Sequence, residues 1–157
     1  MIPSNWRYFT LTVLQAERIE SLKAGIFAAF SLFLAYGITT LGNDLILAHQ
    51  FTTLASLQIT SPLNLLISGA IACFSGFLFG VTYRYIIRTD QNSHLKEGAV
   101  LAFGLVRGLA QVDIGIKTDN TFWSLGVLVA ESILLFAIAR FTLDTAIYLR
   151  WVKPFNL

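Results

Sequence analysis

The sequence has few charged residues and no run of basic residues. Charged residues make up 13% of its 157 positions, about half the proportion usual in soluble globular domains. A soluble domain of this length needs many polar side chains because its surface is large relative to its volume. Apolar residues instead make up 55% of the chain, and the mean hydropathy is +0.68. This composition indicates a membrane protein.

The sequence contains no motif typical of catalysis, metal binding or nucleic-acid binding. Cys73 is the single cysteine, which excludes an intrachain disulfide and CxxC redox or zinc motifs. His49 and His94 lie outside the apolar segments and have no metal-ligand spacing. No GxSxG motif, phosphate-binding glycine loop or nucleic-acid-reading motif is visible. We therefore expect no catalytic residues, no metal, no cofactor and no nucleic-acid partner.

Four apolar segments predict the fold, at about 23–42, 63–87, 98–115 and 122–148. A membrane-spanning helix needs about 20 residues, and backbone groups in hydrocarbon must be bonded internally. We therefore predict an all-α integral membrane domain over 22–157, with four transmembrane helices in two antiparallel hairpins. The third segment is the weakest span, because it is short and carries Arg107, Gln111 and Asp113.

Two segments lie outside the predicted spans. Residues 1–21 mix polar and apolar side chains, unlike the apolar core of a signal peptide. We predict a short amphipathic helix there on the cytoplasmic face of the membrane. The long connection 43–62 is half apolar, so an interfacial helix, an irregular loop and a re-entrant segment all remain open.

The cations predict the orientation. Four helices place both termini and the 88–97 loop on one side of the membrane. Nine of the eleven cations fall on that side: Arg7, Arg18, Lys23, Arg84, Arg88, Lys96, Arg140, Arg150 and Lys153. Lys117 alone falls on the other side. Because cytoplasmic loops are enriched in lysine and arginine, we expect both termini in the cytoplasm, or in the stroma for a thylakoid protein.

The two predicted hairpins begin with similar sequences. LKAGIFAAFSL (22–32) and LKEGAVLAFGL (95–105) are identical at six of eleven positions. This similarity favours a duplicated hairpin. The alternative is that apolar segments resemble each other through composition alone.

Arg107 and Glu131 are the charged residues deepest in the predicted spans. Each lies about 12–14 Å from the connection between the third and fourth helices, at 1.5 Å per residue. Because an isolated charge there costs at least about 3 kcal/mol, we predict an Arg107–Glu131 ion pair inside the bundle, with Gln111 one turn beyond. The alternatives are an Arg107 that meets a lipid headgroup or a partner protein, and a protonated Glu131. The pair could serve either structure or function.

Small residues and arginines mark two further surfaces. Ser68, Ala72, Gly76 and Gly80 recur every four residues in the second segment. Gly104 and Gly108 have the same spacing in the third. Such stripes allow close helix packing, which we expect inside the bundle rather than between copies.

Arg84 and Arg88 are like-charged neighbours one turn apart, so we predict that they contact an anionic lipid or an acidic partner, with snorkelling into solvent as the alternative.

The stretches FGVTYRYIIRTDQNSHLKEGAVLAFGLVRGLAQVD (79–113) and ESILLFAIARFTLDTAIYLRWVKPF (131–155) carry a family resemblance. With them the chain resembles a family of small uncharacterised integral membrane proteins of cyanobacteria and chloroplasts. The resemblance covers most of the chain beyond residue 20 and implies a thylakoid or plasma-membrane protein. It implies no functional residues.

These features favour a non-enzymatic accessory protein. An assembly factor or small subunit of a membrane complex, a photosynthetic one included, accounts for the small size and the helix-packing stripes. The alternative is a small oligomeric transporter or channel with Arg107 and Glu131 at a polar site in the membrane midplane. A membrane-surface enzyme is the least favoured function, because the sequence contains no candidate nucleophile or metal ligand.

Overall fold

The computed structural model describes residues 4–43, 45, 62–87, 93–117 and 122–154. Over these residues the regular secondary structure is entirely helical, in helices α1 (Ser4–Gly42), α2 (Pro62–Ile87), α3 (Ser93–Lys117) and α4 (Phe122–Tyr148). The predicted all-α class is therefore confirmed. All but a few residues of the 43–62 connection lie outside the described residues.

Three of the four described helices are long and apolar enough to cross a membrane, over Leu14–Gly42, Pro62–Ile87 and Leu125–Tyr148. Their outward surfaces carry many exposed leucine, isoleucine and phenylalanine side chains, as expected where lipid is the solvent. These features indicate a membrane protein. Helix α3 is not among the candidate spans. It contains Arg107, Gln111 and Asp113, the polar residues that made it the weakest prediction.

Helix α1 is longer than predicted. It runs for 39 residues without a break, or about 58 Å, whereas a bilayer with its headgroups is about 40–45 Å thick. The first glycine or proline after Ser4 is Gly25, so no helix-breaking residue separates residues 4–21 from the first span. The structure thus differs from the predicted surface helix, because the described part of that segment forms the beginning of α1 itself.

The first hairpin packs closely along the predicted small-residue stripe. A Cβ built on Gly76 would lie 2.9 Å from the Ala28 carbonyl oxygen, and one on Gly80 would collide with the Ala24 carbonyl oxygen. Ala72 is fully buried as well. Because the pairs 76–28 and 80–24 run in opposite directions along the chain, α1 and α2 are antiparallel.

The second hairpin also packs closely at glycine residues. A Cβ on Gly104 would lie 2.8 Å from the Ile133 Cα, and one on Gly108 would lie 2.9 Å from the Val129 Cα. Helices α3 and α4 are therefore antiparallel and in backbone contact. Gly76, Gly80, Gly104 and Gly108 thus each lie against the other helix of their own hairpin.

The hairpins meet chiefly through α1 and α4, and less extensively through α2 against α3 and α4. Ser31 and Thr142 share a 2.8 Å hydrogen bond across the first of these interfaces. The rings of Phe79, Phe103 and Phe136 meet at centroid distances of 5.2–5.7 Å in the core between α2, α3 and α4. We call the half of the bundle with the start of α1 and the end of α4 the termini end, and the opposite half the far end.

Candidate functional site

The bundle contains two groups of polar side chains at the termini end and further polar side chains, Arg107 and Gln111 among them, in its far half. At the termini end, Arg84 is 1% exposed. Its guanidinium forms an ion pair with the Glu17 carboxylate and donates to the Ser21 hydroxyl at 2.7 Å. It also donates to the main-chain carbonyls of Glu17, at 2.9 Å, and Lys153, at 2.8 Å. This arginine joins α1, α2 and the segment after α4.

The segment after α4 turns back onto the bundle. Arg150 has a φ of 60°, a left-handed conformation typical of the residue that ends a helix, and Trp151 N donates to the Ala146 carbonyl at 2.9 Å. Val152 is then fully buried, and Lys153 N donates to Glu20 at 3.0 Å. The turn thereby carries the Lys153 carbonyl to Arg84.

Asp144 is the centre of a second group at the termini end. It accepts a 2.9 Å hydrogen bond from the Tyr83 hydroxyl. The Lys96 ammonium lies 3.3 Å from one of its oxygens, and the Arg140 Nε lies 3.7 Å from the other. This group ties the end of α2 to both helices of the second hairpin.

The prediction that Arg84 meets an anionic lipid or an acidic partner is wrong, because its anion is Glu17 of the same chain. The position of Arg84 in the sequence already indicated a contact with α1. Arg84 continues the four-residue spacing of Gly76 and Gly80, so it lies on the α2 face that packs against α1. Glu17 and Ser21 extend the matching face of α1. Arg88 lies outside the described residues.

The far half of the bundle contains Arg107. Its guanidinium carbon lies 5.9 Å from the centre of the Tyr36 ring, within the range of a cation–π contact. Its Nε is buried and has no hydrogen-bond partner, and over the described residues no salt bridge to Arg107 is formed. The buried Tyr36 hydroxyl likewise has no hydrogen-bond partner there.

The predicted Arg107–Glu131 ion pair is not formed. Glu131 accepts a hydrogen bond from the buried Asn43 side chain instead. The reason is rotational. Val129 and Ile133 are the α4 residues that meet α3, and at 3.6 residues per turn Glu131 lies about 160° around α4 from each of them. The two charges match in depth, but Glu131 faces α1.

Gln111 does bridge the second hairpin, as its carbonyl oxygen accepts a 2.7 Å hydrogen bond from the Ser132 hydroxyl. Gln111 and Arg107 also line a groove of about 380 Å³ between α2 and α3. Its lining consists of Ser68, Ile71 and Ser75 of α2, Phe103, Val106, Arg107, Ala110, Gln111 and Ile114 of α3, and Phe136 of α4. We call it the α2–α3 groove. Ser68, predicted to belong to the helix-packing stripe, lines this groove.

The α2–α3 groove faces outward, toward the surroundings of the bundle. Val106 is 72% exposed, and Ile71 and Ile114 are also exposed, so the rim is apolar and open to lipid. Arg107 lies fourteen residues after Ser93 and ten before Lys117, within about 3 Å of the middle of α3. Arg107, which has no ion-pair partner among the described residues, therefore lies near the middle of α3 beside an outward-facing groove.

Comparisons with known proteins add no relative. No family model, no curated protein and no solved structure matches this chain. Among the described residues, no cluster of three or more histidine, cysteine, aspartate or glutamate side chains could hold a metal ion. The candidate site is thus defined by contacts within the chain, with Arg107 as its centre.

Proposed function

We propose that this protein is a four-span integral membrane protein that acts without catalysis, as an assembly factor or small subunit of a membrane complex. The observation that supports this proposal most strongly is the position of Arg107, which has no ion-pair partner among the described residues and lines an outward-facing groove. Intramembrane charges are rare and are by default candidates for function. A partner within the membrane plane would satisfy this one.

The packing of α3 supports the fourth span. Helix α3 has 25 residues, or about 38 Å, and contacts the candidate span in α4 at backbone distance through Gly104 and Gly108. A helix that packs antiparallel along a spanning helix crosses the same layer. The nine cations predicted on one side favour termini in the cytoplasm or stroma. The family resemblance favours a thylakoid or plasma membrane.

Mild-detergent solubilisation tests this function. We expect the tagged protein to migrate on a native gel in a discrete complex larger than itself and its detergent, with partner proteins in fixed stoichiometry by mass spectrometry. Migration as a monomer under conditions that keep other membrane complexes intact would refute the accessory function.

A small oligomeric transporter or channel is the second candidate. Arg107, Gln111 and Glu131 all lie in the far half, which favours a polar site there. The termini half of the interior is instead filled by fully buried aromatic and aliphatic side chains, Phe79, Tyr83, Phe136 and Leu143 among them. One copy thus gives little support to a polar path, and transport would require a homo-oligomer. A symmetric homo-oligomer on the native gel would favour this candidate.

A further inference from the structure

We propose that the α2–α3 groove binds a transmembrane helix of a partner protein, and that a carboxylate on that helix pairs with Arg107. This inference rests on the proposed accessory function and adds the chemistry of the partner. Three properties of the groove support it: its charge, its depth in the membrane and the small side chains along it.

The charge of the groove requires an anion. Arginine remains protonated in proteins, and among the described residues the Arg107 guanidinium has a cation–π contact with Tyr36 but no salt bridge. Glu131, the acid at the same depth, is held by Asn43 on another side of α4. The nearest acid along α3 is Asp113, which is exposed near the far end. No carboxylate among the described residues pairs with Arg107, and the group that we propose for this role is a carboxylate on a partner helix.

The depth of the groove favours a helix over a phospholipid. Lipid phosphates lie outside a hydrocarbon core about 30 Å thick, whereas Arg107 is near its middle. The Arg107 guanidinium carbon lies 5.9 Å from the centre of the Tyr36 ring of α1. An acidic residue on a transmembrane helix can lie at this depth.

The walls of the groove suit a helix as well. Ser68 and Ser75 on α2 and Ala110 on α3 are small, and small residues let helix backbones approach closely in membranes. The α3 wall extends from Phe103 to Ile114, or about three helical turns. Val106 and Ile114 provide exposed apolar surface beside the arginine.

Site-specific photocrosslinking in the native membrane tests the proposal. A benzophenone side chain at Val106 lies on the groove rim. The same side chain at Leu105 is the matched control, because Leu105 is 40% exposed but lies about 100° around α3 and does not line the groove. We expect a protein adduct from position 106 and none from 105, with an acidic residue in the membrane span of the adduct protein.

Charge variants then test the pairing. Arg107→Gln should reduce the yield of the position-106 adduct about tenfold or more, as for loss of one member of a buried charge pair, and Arg107→Lys should retain part of it. Arg107→Glu should lose the adduct, and an acid-to-lysine change at mid-span in the partner should restore it. An adduct with lipid, with a second copy of this chain or equally from both positions would overturn the inference.

The inference and the proposed function can fail separately. If the large complex persists on native gels with Arg107→Gln while position 106 gives no specific adduct, the accessory function stands and the groove is not its docking site. If no complex exists at all, both are overturned.

Discussion

Arg84 of α2 and Glu17 of α1 form an ion pair at the termini end of the bundle, with the arginine 1% exposed. The same guanidinium donates to the Lys153 carbonyl at 2.8 Å, so one side chain fastens two helices and the segment after α4. The charges of this region are thus largely matched within the chain, whereas Arg107 has no ion-pair partner among the described residues.

Removing the Arg84 partner should destabilise the protein. With Glu17→Gln the buried guanidinium loses its counter-charge, and breaking a buried pair from one side costs about 3–5 kcal/mol. We expect the Tm in detergent, followed by tryptophan fluorescence, to fall clearly. Arg18→Gln, at the exposed neighbouring position, is the control and should leave the Tm unchanged. Equal Tm values for the two variants would contradict the role of Arg84.

Glycine in place of Arg150 should preserve the stability of the protein, and valine in its place should lower it. Its φ of 60° is accessible to glycine without steric cost and is a genuine outlier for a β-branched residue. We expect Arg150→Gly to leave the free energy of unfolding unchanged or to raise it by up to about 1 kcal/mol, and Arg150→Val to lower it. Denaturation of both variants in the same detergent checks this order. Greater stability of the valine variant would contradict the left-handed conformation of Arg150.

Substitution by alanine should change the stability of the protein in opposite directions at two glycines. A Cβ at Gly80 would collide with the Ala24 backbone, while one at Gly37 would meet nothing within 4 Å. Gly80→Ala should therefore cost about 1–3 kcal/mol through overpacking. Gly37→Ala should stabilise by about 0.5–1 kcal/mol through helix propensity. The Tm of the two variants measures both effects, and the account of the α1–α2 contact fails if both shifts have the same sign.

Double-mutant cycles should couple Glu131 to Asn43 and not to Arg107. The Asn43–Glu131 hydrogen bond should give a coupling energy of about 0.5–3 kcal/mol. The cycle with Arg107→Ala and Glu131→Ala should give a value near zero, and the exchange of the two charges should rescue neither single variant. A large Arg107–Glu131 coupling would restore the ion pair predicted from sequence.

The sequence predicted the helices better than the contacts between them. The bounds of α2 and α4 followed from long, predominantly apolar segments, and the close packing at Gly76, Gly80, Gly104 and Gly108 is consistent with their spacing. Helix α1 extended further because the polar residues before Lys23 include no helix breaker. Hydropathy registers the end of an apolar run, which need not be the end of a helix.

The charged contacts were harder to predict because depth along a helix does not fix rotation around it. Arg107 and Glu131 match in depth, yet Glu131 lies on the α4 face away from α3. The rotation of α4 about its axis depends on which of its residues contact Gly104 and Gly108, and the sequence does not specify these residues. For Arg84 the rotation could have been inferred, because the arginine extends the glycine stripe by one turn.

We infer that Arg107 serves binding rather than the stability of the fold, and the Arg107→Gln variant distinguishes these two roles. The Tm of the purified variant and the presence of the large complex on a native gel are measured together. In the proposed four-span topology, a charge near the midplane without a counter-charge costs at least about 3 kcal/mol. This cost outweighs the cation–π contact with Tyr36, so we predict an equal or higher Tm and a lost complex. A Tm lowered as much as by Glu17→Gln, with the complex still present, would contradict the account.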